Sequence, residues 1–143
     1  MIFLVTAVSA AVISLLASLA AGHLFGEIPI AGSFIRLTLS KNPGIAFGIL
    51  LPSPWQEILI LTAFVMICVV ATCSTLTTTS SIGFGLVIGG ALANLADRFA
   101  DGVVPDFIAI GTFPVFNVAD ACISVGAGLL LLEWWSERKK RHP

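Results

Sequence analysis

The sequence is poor in charged side chains, and the two signs almost cancel. Only 10% of its 143 residues are Asp, Glu, Lys or Arg, and the formal net charge is -1. Such a chain offers no basic surface to a polyanion, so nucleic acid is not an expected partner. The chain is instead 57% hydrophobic, with a mean hydropathy of +1.05. This composition predicts an integral membrane protein and excludes an ordinary soluble domain.

Histidine and cysteine are also scarce. His23 and His142 are far apart, and neither has a second histidine or a cysteine at ligand spacing, so a zinc site is not predicted. Cys68, Cys73 and Cys122 lie in apolar runs, where a small buried thiol is expected rather than a disulfide or a metal ligand. We therefore expect neither a metal nor a cofactor.

Four apolar segments have the length of a membrane span. Crossing about 30 Å of hydrocarbon takes about 20 residues in a helix. The candidate segments cover about residues 2–22, 56–75, 81–98 and 115–135. The third is rich in glycine and alanine, which let neighbouring helices approach closely. The expected fold is a mostly α membrane protein with four transmembrane helices, forming a single membrane-embedded domain over residues 1–143.

Basic residues follow the fourth segment. The tail "SERKKRHP" comes directly after Trp134 and Trp135. This arrangement predicts a cytoplasmic C-terminus with both tryptophans at the inner interface. Four spans then place the N-terminus in the cytoplasm as well, and residues 23–54 and 99–114 on the outer side.

A small extracytoplasmic β-element is predicted between the first and second helices, over about residues 26–50. In "SFIRLTLS", residues 33–40, two sets of side chains alternate with the period of a strand that has two different faces. Asn42, Pro43 and Gly44 then supply a turn. We expect this element to rest at the membrane surface.

Polar residues mark the end of the third helix. Asn94, Asp97 and Arg98 are spaced by three and four residues, so they share one helix face. An interfacial cap with an Asp97 to Arg98 contact explains this cluster without a further function.

Two more acidic residues flank a short apolar connection. Asp106 is the acid of "VVPDFI" and is expected in a loop, while Asn117 and Asp120 share a face of the fourth helix. If that helix begins near Pro114, Asp120 lies roughly 9 Å inside it, where an aspartate costs roughly 2.5–3.5 kcal/mol. The alternative is an acid in the first helical turn, which the helix dipole favours. Either position allows Asp106 and Asp120 to meet.

A close pair of carboxylates is suited to peptide hydrolysis. In a site of low dielectric constant, one acid keeps a proton and the other stays ionised. The ionised acid can take a proton from an attacking water, and the protonated acid can donate to the substrate carbonyl. The residues alone leave open a second use, an ion or proton relay, which also employs carboxylates in membranes.

Three ordered motifs make the sequence similar to a known family, the lipoprotein signal peptidases or signal peptidase II. They are "NPGIAFGIL" at residues 42–50, "GGALANLADRFADGVVPDFI" at 89–108 and "FPVFNVAD" at 113–120. Four spans with both ends in the cytoplasm also agree with that family. The resemblance implies an aspartic endopeptidase of the bacterial cytoplasmic (inner) membrane, with its active site near the outer face.

The resemblance also implies roles for individual residues. The family's catalytic aspartates match Asp106 and Asp120. Asp97 matches a position to which we assign a structural role at the end of its helix. The supporting polar residues, which would orient the aspartates and hold substrate backbone, match Asn42, Asn94, Arg98 and Asn117.

The implied substrate is a bacterial prolipoprotein whose cysteine carries diacylglycerol, cut just before that cysteine. The β-element would cradle this substrate, membrane lipids would surround the chain, and a monomer is the expected state. Three departures leave open altered specificity or reduced activity: a first helix without its usual aspartate, Pro105 in place of valine, and a short connection from Asp106 to Asp120. The first of them also keeps open a homologue that binds precursors without cutting them.

Overall fold

The structure is a computed structural model that describes residues 1–24, 26–44, 51–52 and 54–141. Its four helices are α1 (Ile2–Ala21), α2 (Trp55–Cys73), α3 (Thr78–Asp101) and α4 (Val118–Arg141). Its three strands are β1 (Ile28–Ala31), β2 (Ile35–Asn42) and β3 (Val104–Ile110). All four helices are long and apolar enough to cross a membrane, which confirms the four predicted spans.

Helix α3 lies between α1 and α4, and its glycines allow both close approaches. A Cβ added to Gly89 would lie 2.3 Å from the carbonyl oxygen of Ala7 in α1. On another face, a Cβ added to Gly90 would lie 2.5 Å from the carbonyl oxygen of Ala119 in α4. Any larger residue would therefore separate the helices. The prediction that small residues permit close packing here is confirmed.

The three strands form one antiparallel sheet in the order β1-β2-β3. The predicted β-element contributes β1 and β2, and the period-two pattern correctly indicated β2. Residues 45–50 of that predicted element, and of the motif "NPGIAFGIL", lie outside the described residues. The third strand comes from the connection between α3 and α4 and carries Asp106. The expectation that Asp106 lies in a loop was wrong.

A left-handed glycine allows α3 to lead directly into β3. Gly102 has φ 75°, and its N–H donates to the carbonyl oxygen of Arg98, which ends the helix. Strand β3 begins two residues later and pairs with β2, with Asp106 opposite Ser40 and Pro105 opposite Lys41. The strand therefore accommodates the proline at 105.

Helix α4 begins later than the predicted residue 115. The carbonyl oxygen of Phe116 accepts hydrogen bonds from the N–H groups of Phe107 (3.0 Å) and Ile108 (2.8 Å), and Phe116 N–H donates to Ile108 at 3.1 Å. These bonds hold the backbone beside β3 as far as Phe116, so helical structure starts only at Val118. Helix α3 is longer than predicted at both ends, covering Thr78–Asp101 rather than 81–98.

Candidate active site

Asp106 is a buried carboxylate held from two sides. Asp106 is only 3% exposed. The amide of Asn42 donates to Oδ2 of Asp106 at 2.8 Å, and the amide of Asn117 donates to Oδ1 at 2.9 Å. The contact with Asn42 follows from strand register: Asp106 opposes Ser40 and Asn42 opposes Val104, so the two polar side chains lie diagonally on one sheet face.

Asp120 lies in the first turn of α4, capped reciprocally by Asn117. The backbone N–H of Asp120 donates to Oδ1 of Asn117 at 2.9 Å, and the backbone N–H of Asn117 donates to Oδ2 of Asp120 at 3.3 Å. This is the bonding pattern of a capping box. The interpretation that placed Asp120 roughly 9 Å inside the helix was wrong, because α4 begins at Val118. The first-turn alternative describes its position.

Asn94 and Asn117 connect the two carboxylates. The amide of Asn94 donates to Oδ1 of Asp120 at 2.8 Å. The amide of Asn117 donates both to Oδ1 of Asn94, at 3.1 Å, and to Asp106. A continuous chain of hydrogen bonds therefore runs from Asp106 through the two asparagines to Asp120.

Arg98 connects this network to the turn after β2. Its Nη2 donates to the carbonyl oxygen of Gly44 at 2.7 Å, and its Nη1 donates to the carbonyl oxygen of Asn94 at 3.2 Å. Its positive charge acts on both Asp106 and Asp120. Six of the seven residues singled out from the sequence thus meet at one end of the helices.

Asp97, the seventh residue, is directed away from the network. Its Oδ2 accepts a hydrogen bond of 3.0 Å from the hydroxyl of Ser18 in α1. Asp97 therefore joins two helices, which agrees with the structural role expected for it.

Gln56 supports the site and was missed from the sequence. Its Nε2 donates to the carbonyl oxygen of Pro43 at 2.6 Å, and its Oε1 accepts from the N–H of Leu51 at 3.2 Å. These bonds tie the turn next to Asn42 to the start of α2. The available signal was an uncharged polar side chain at the beginning of an apolar span.

The two aspartates face a cavity of about 470 Å³. Asn42 also lines it, and most of the remaining wall is apolar. That wall comes from the segment before α4 and from the first turns of α4: Phe113, Pro114, Val115, Phe116, Ala121, Ile123, Ser124 and Val125. These lining residues were not predicted from the sequence, although Ser124 is one helical turn beyond Asp120 and so shares its face.

Burial raises the pKa of the Asp106 carboxyl above its usual range. The hydrogen bond from Asn42 opposes this rise in pKa, and the negative charge of Asp120 adds to it. The Asn117 hydrogen bond and the charge of Arg98 also act to lower the pKa of Asp106. Burial of Asp106 therefore favours its protonated form.

The arrangement has the parts needed for acid and base catalysis. The Asp106 carboxyl is buried and favours its proton, and the Asp120 carboxyl lies in the first turn of α4 on the same cavity. Across the described ranges, from residue 1 to 141 with their gaps, no group of three or more His, Cys, Asp or Glu could hold a metal ion.

The family model and the relatives that match this chain are all described as signal peptidases. The family model described as "Signal peptidase (SPase) II" matches residues 2–136. A lipoprotein signal peptidase of Brevibacillus brevis is 39% identical over 121 residues, covering 81% of this chain and 80% of that protein. A lipoprotein signal peptidase of Halothermothrix orenii is 40% identical over 117 residues, covering 79% of each.

Solved structures share the fold. A bacterial membrane enzyme solved by the in meso method at 2.3 Å resolution has a TM-score of 0.84, with 96% of this chain and 90% of that chain covered at 22% identity. A second bacterial membrane enzyme, solved at 1.9 Å resolution, has a TM-score of 0.78 and covers 92% of this chain. With four helices able to span a membrane and a family match over nearly its whole length, the chain belongs to the signal peptidase II family of membrane peptidases.

Proposed function

We propose that this chain is an aspartic endopeptidase that removes signal peptides from diacylglyceryl-modified bacterial prolipoproteins, cutting just before the lipidated cysteine. One observation carries the proposal. Asp106 and Asp120 line the same cavity and are connected through Asn94 and Asn117, and burial favours the protonated form of Asp106.

In the proposed reaction, Asp120 is the base and Asp106 is the acid. The ionised Asp120 takes a proton from a water molecule as that water attacks the scissile carbonyl carbon. The protonated Asp106 donates to the carbonyl oxygen, giving a tetrahedral intermediate. Asp120 then gives the proton that it took from water to the leaving nitrogen, Asp106 regains a proton from a hydroxyl of the intermediate, and the peptide bond breaks. Neither a metal nor a cofactor enters the proposed reaction.

The supporting residues orient the two acids. Asn42 and Asn117 each donate to one oxygen of Asp106, and Asn94 donates to Asp120. Arg98 supplies a positive charge near the pair and anchors Gly44. These contacts support the orienting part of the expected roles. Holding substrate backbone is the further part that we propose for the same residues.

The shape of the cavity supports a lipid-anchored substrate. One wall is formed by α4, a helix able to span the membrane, and includes the exposed Val125. A peptide can therefore reach the aspartates while acyl chains attached to it stay in the bilayer. The sheet, whose strand β3 carries Asp106, is the proposed cradle for this peptide.

The position of the site supports an outer-face location. Asp106 lies in β3, shortly after the end of α3, and Asp120 lies at the beginning of α4, whereas Trp134, Trp135 and the basic residues occupy the far end of α4. If those basic residues lie in the cytoplasm, the aspartates lie near the outer face of the cytoplasmic membrane. We propose that both termini are cytoplasmic and that the monomer carries a complete site.

Cleavage of a defined precursor tests this function. The purified protein in detergent is mixed with a diacylglyceryl-modified prolipoprotein, and the same precursor without diacylglycerol serves as control. We expect mass spectrometry to find cleavage before the lipidated cysteine, only in the modified precursor, and unchanged by EDTA. Binding without cleavage would favour the inactive homologue, and proton flux through liposomes without cleavage would favour the relay.

The Asn42→Ala variant should extend activity to higher pH. The Asn42 hydrogen bond lowers the pKa of Asp106, so removing it should raise that pKa further. Because the proposed acid must be protonated, the alkaline limb of kcat/KM should shift to higher pH. Ser40→Ala, two residues earlier on the same face of β2, is the control and should leave the limb in place. If the alkaline limb of kcat/KM in Asn42→Ala were unchanged or moved to lower pH, Asp106 would not be the acid.

A further inference from the structure

A buried hydroxyl in α1 contacts the helix that carries two site residues. Ser18 is 8% exposed, and its Oγ donates to Oδ2 of Asp97 at 3.0 Å. Helix α1 contains no charged residue from Ile2 to Ala21. The Ser18 hydroxyl is therefore a polar connection from an uncharged helix to the last turns of α3.

The same turns of α3 hold two residues of the catalytic network. Asn94 donates to Asp120, and Arg98 donates to the carbonyl oxygen of Gly44. Asp97 is adjacent to Arg98 and about 100° away around the helix axis, so it contacts α1 while Asn94 and Arg98 contact the hydrogen-bond network of the site. The helix ends at Asp101, only four residues later. A contact at Asp97 therefore restrains the rotation of the short terminal segment that carries Asn94 and Arg98.

We propose that Ser18 is a positioning residue, which through its hydrogen bond to Asp97 sets the orientation of Asn94 and Arg98 relative to the two aspartates. This inference rests on the proposed peptidase function. Small displacements of catalytic groups have large effects on rate, so a bond that fixes this part of α3 affects the reaction. Ser18 thus acts on the reaction without touching the substrate.

Other contacts between α1 and α3 do not need Ser18. Gly85 and Gly89 bring α3 against Thr6, Ala7 and Ala10, nearer the other end of α1. Removing one hydroxyl from Ser18 should therefore leave the helices packed, and the variant should fold.

Ser14 provides a matched control. It lies one turn before Ser18 in α1, is 4% exposed, and its hydroxyl has no hydrogen-bond partner among the residues that the structure describes. Ser14→Ala and Ser18→Ala thus remove the same group from equally buried positions on one helix, and only the second removes a hydrogen bond to Asp97.

The test measures precursor cleavage and thermal unfolding for Ser14→Ala, Ser18→Ala, Ser18→Thr, Asp97→Ala and the double variant Ser18→Ala with Asp97→Ala. Rates are taken well below the unfolding temperature of every variant, so a merely structural role would change Tm without changing kcat. We expect Ser18→Ala to lower kcat about tenfold, Ser14→Ala to stay near wild type, and Ser18→Thr to recover activity.

The double variant shows whether the two residues act together. If Ser18 works through Asp97, the double variant should be no slower than Asp97→Ala alone, because the second substitution removes a contact already lost. Equal rates for Ser18→Ala and Ser14→Ala, or losses that multiply in the double variant, would overturn the role of Ser18 while leaving the peptidase function intact. Wild-type protein that cuts no precursor would overturn the function, and this role with it.

Discussion

Asp106→Asn and Asp120→Asn should each reduce kcat by at least about 10²–10⁴-fold, the usual contribution of a general acid or base. Asparagine keeps the size of the side chain but cannot transfer a proton as a carboxyl does. The new amide also alters the hydrogen bonds that Asp106 accepts from Asn42 and Asn117 and that Asp120 accepts from Asn94. The measurement is single-turnover cleavage of the diacylglyceryl-modified precursor at matched amounts of folded protein.

Asp101→Asn is the matched control for these two variants. Asp101 is the exposed last residue of α3 and does not line the cavity described above. The same chemical change there should leave kcat near that of the wild type. Cleavage that survives both Asp106→Asn and Asp120→Asn would show that these carboxyls are not the acid and base.

Asn117→Ala should lower both stability and activity. Asn117 caps α4 through its Oδ1, and loss of such a cap costs about 0.5–2 kcal/mol. Its amide also donates to Asp106 and Asn94. Each of these acceptors that is left buried without its donor further lowers the free energy of unfolding, by about 1–3 kcal/mol at most. We expect a lower unfolding temperature in detergent together with a lower kcat.

Two further variants separate capping from amide donation. Asn117→Ser keeps an oxygen that can cap the helix but loses the amide donor, so we expect stability closer to wild type with kcat still reduced. Thr77→Ala removes the N-cap of α3, where the Thr77 side chain accepts from Ser80 N–H, far along that helix from Asn94. That variant should lose stability but keep kcat. Full activity of Asn117→Ser would show that amide donation at this position is not needed.

For the two aspartates, the spacing of residues predicts the pairing but not the secondary structure around each side chain. Their positions on either side of a short connection predict that Asp106 and Asp120 lie close together, and both line one cavity. Their surroundings differ from the prediction, because Asp106 lies in a strand and Asp120 in a first helical turn. The penalty for an aspartate deep in a membrane helix therefore does not apply to Asp120.

Strand β3 was missed for a physical reason. Val104, Asp106, Phe107 and Ala109 are all buried, so both faces of the strand are covered and no apolar and polar alternation remains in the sequence. Strand β2, which keeps that alternation, was predicted correctly. The late start of α4 escaped prediction because it depends on hydrogen bonds between Phe116 and β3.

The sequence by itself determined the membrane class, the four helices, strand β2 and the set of polar residues, because hydropathy, periodicity and residue type are local properties of the chain. Only the tertiary structure decided that β3 completes the sheet, that Asn94 and Asn117 connect the two carboxylates, and that Ser18 contacts Asp97. These features join segments far apart in the chain, such as Ser18 and Asp97 or Asn42 and Asp106. Their hydrogen bonds depend on close helix approaches and strand register, which arise only when the whole chain packs.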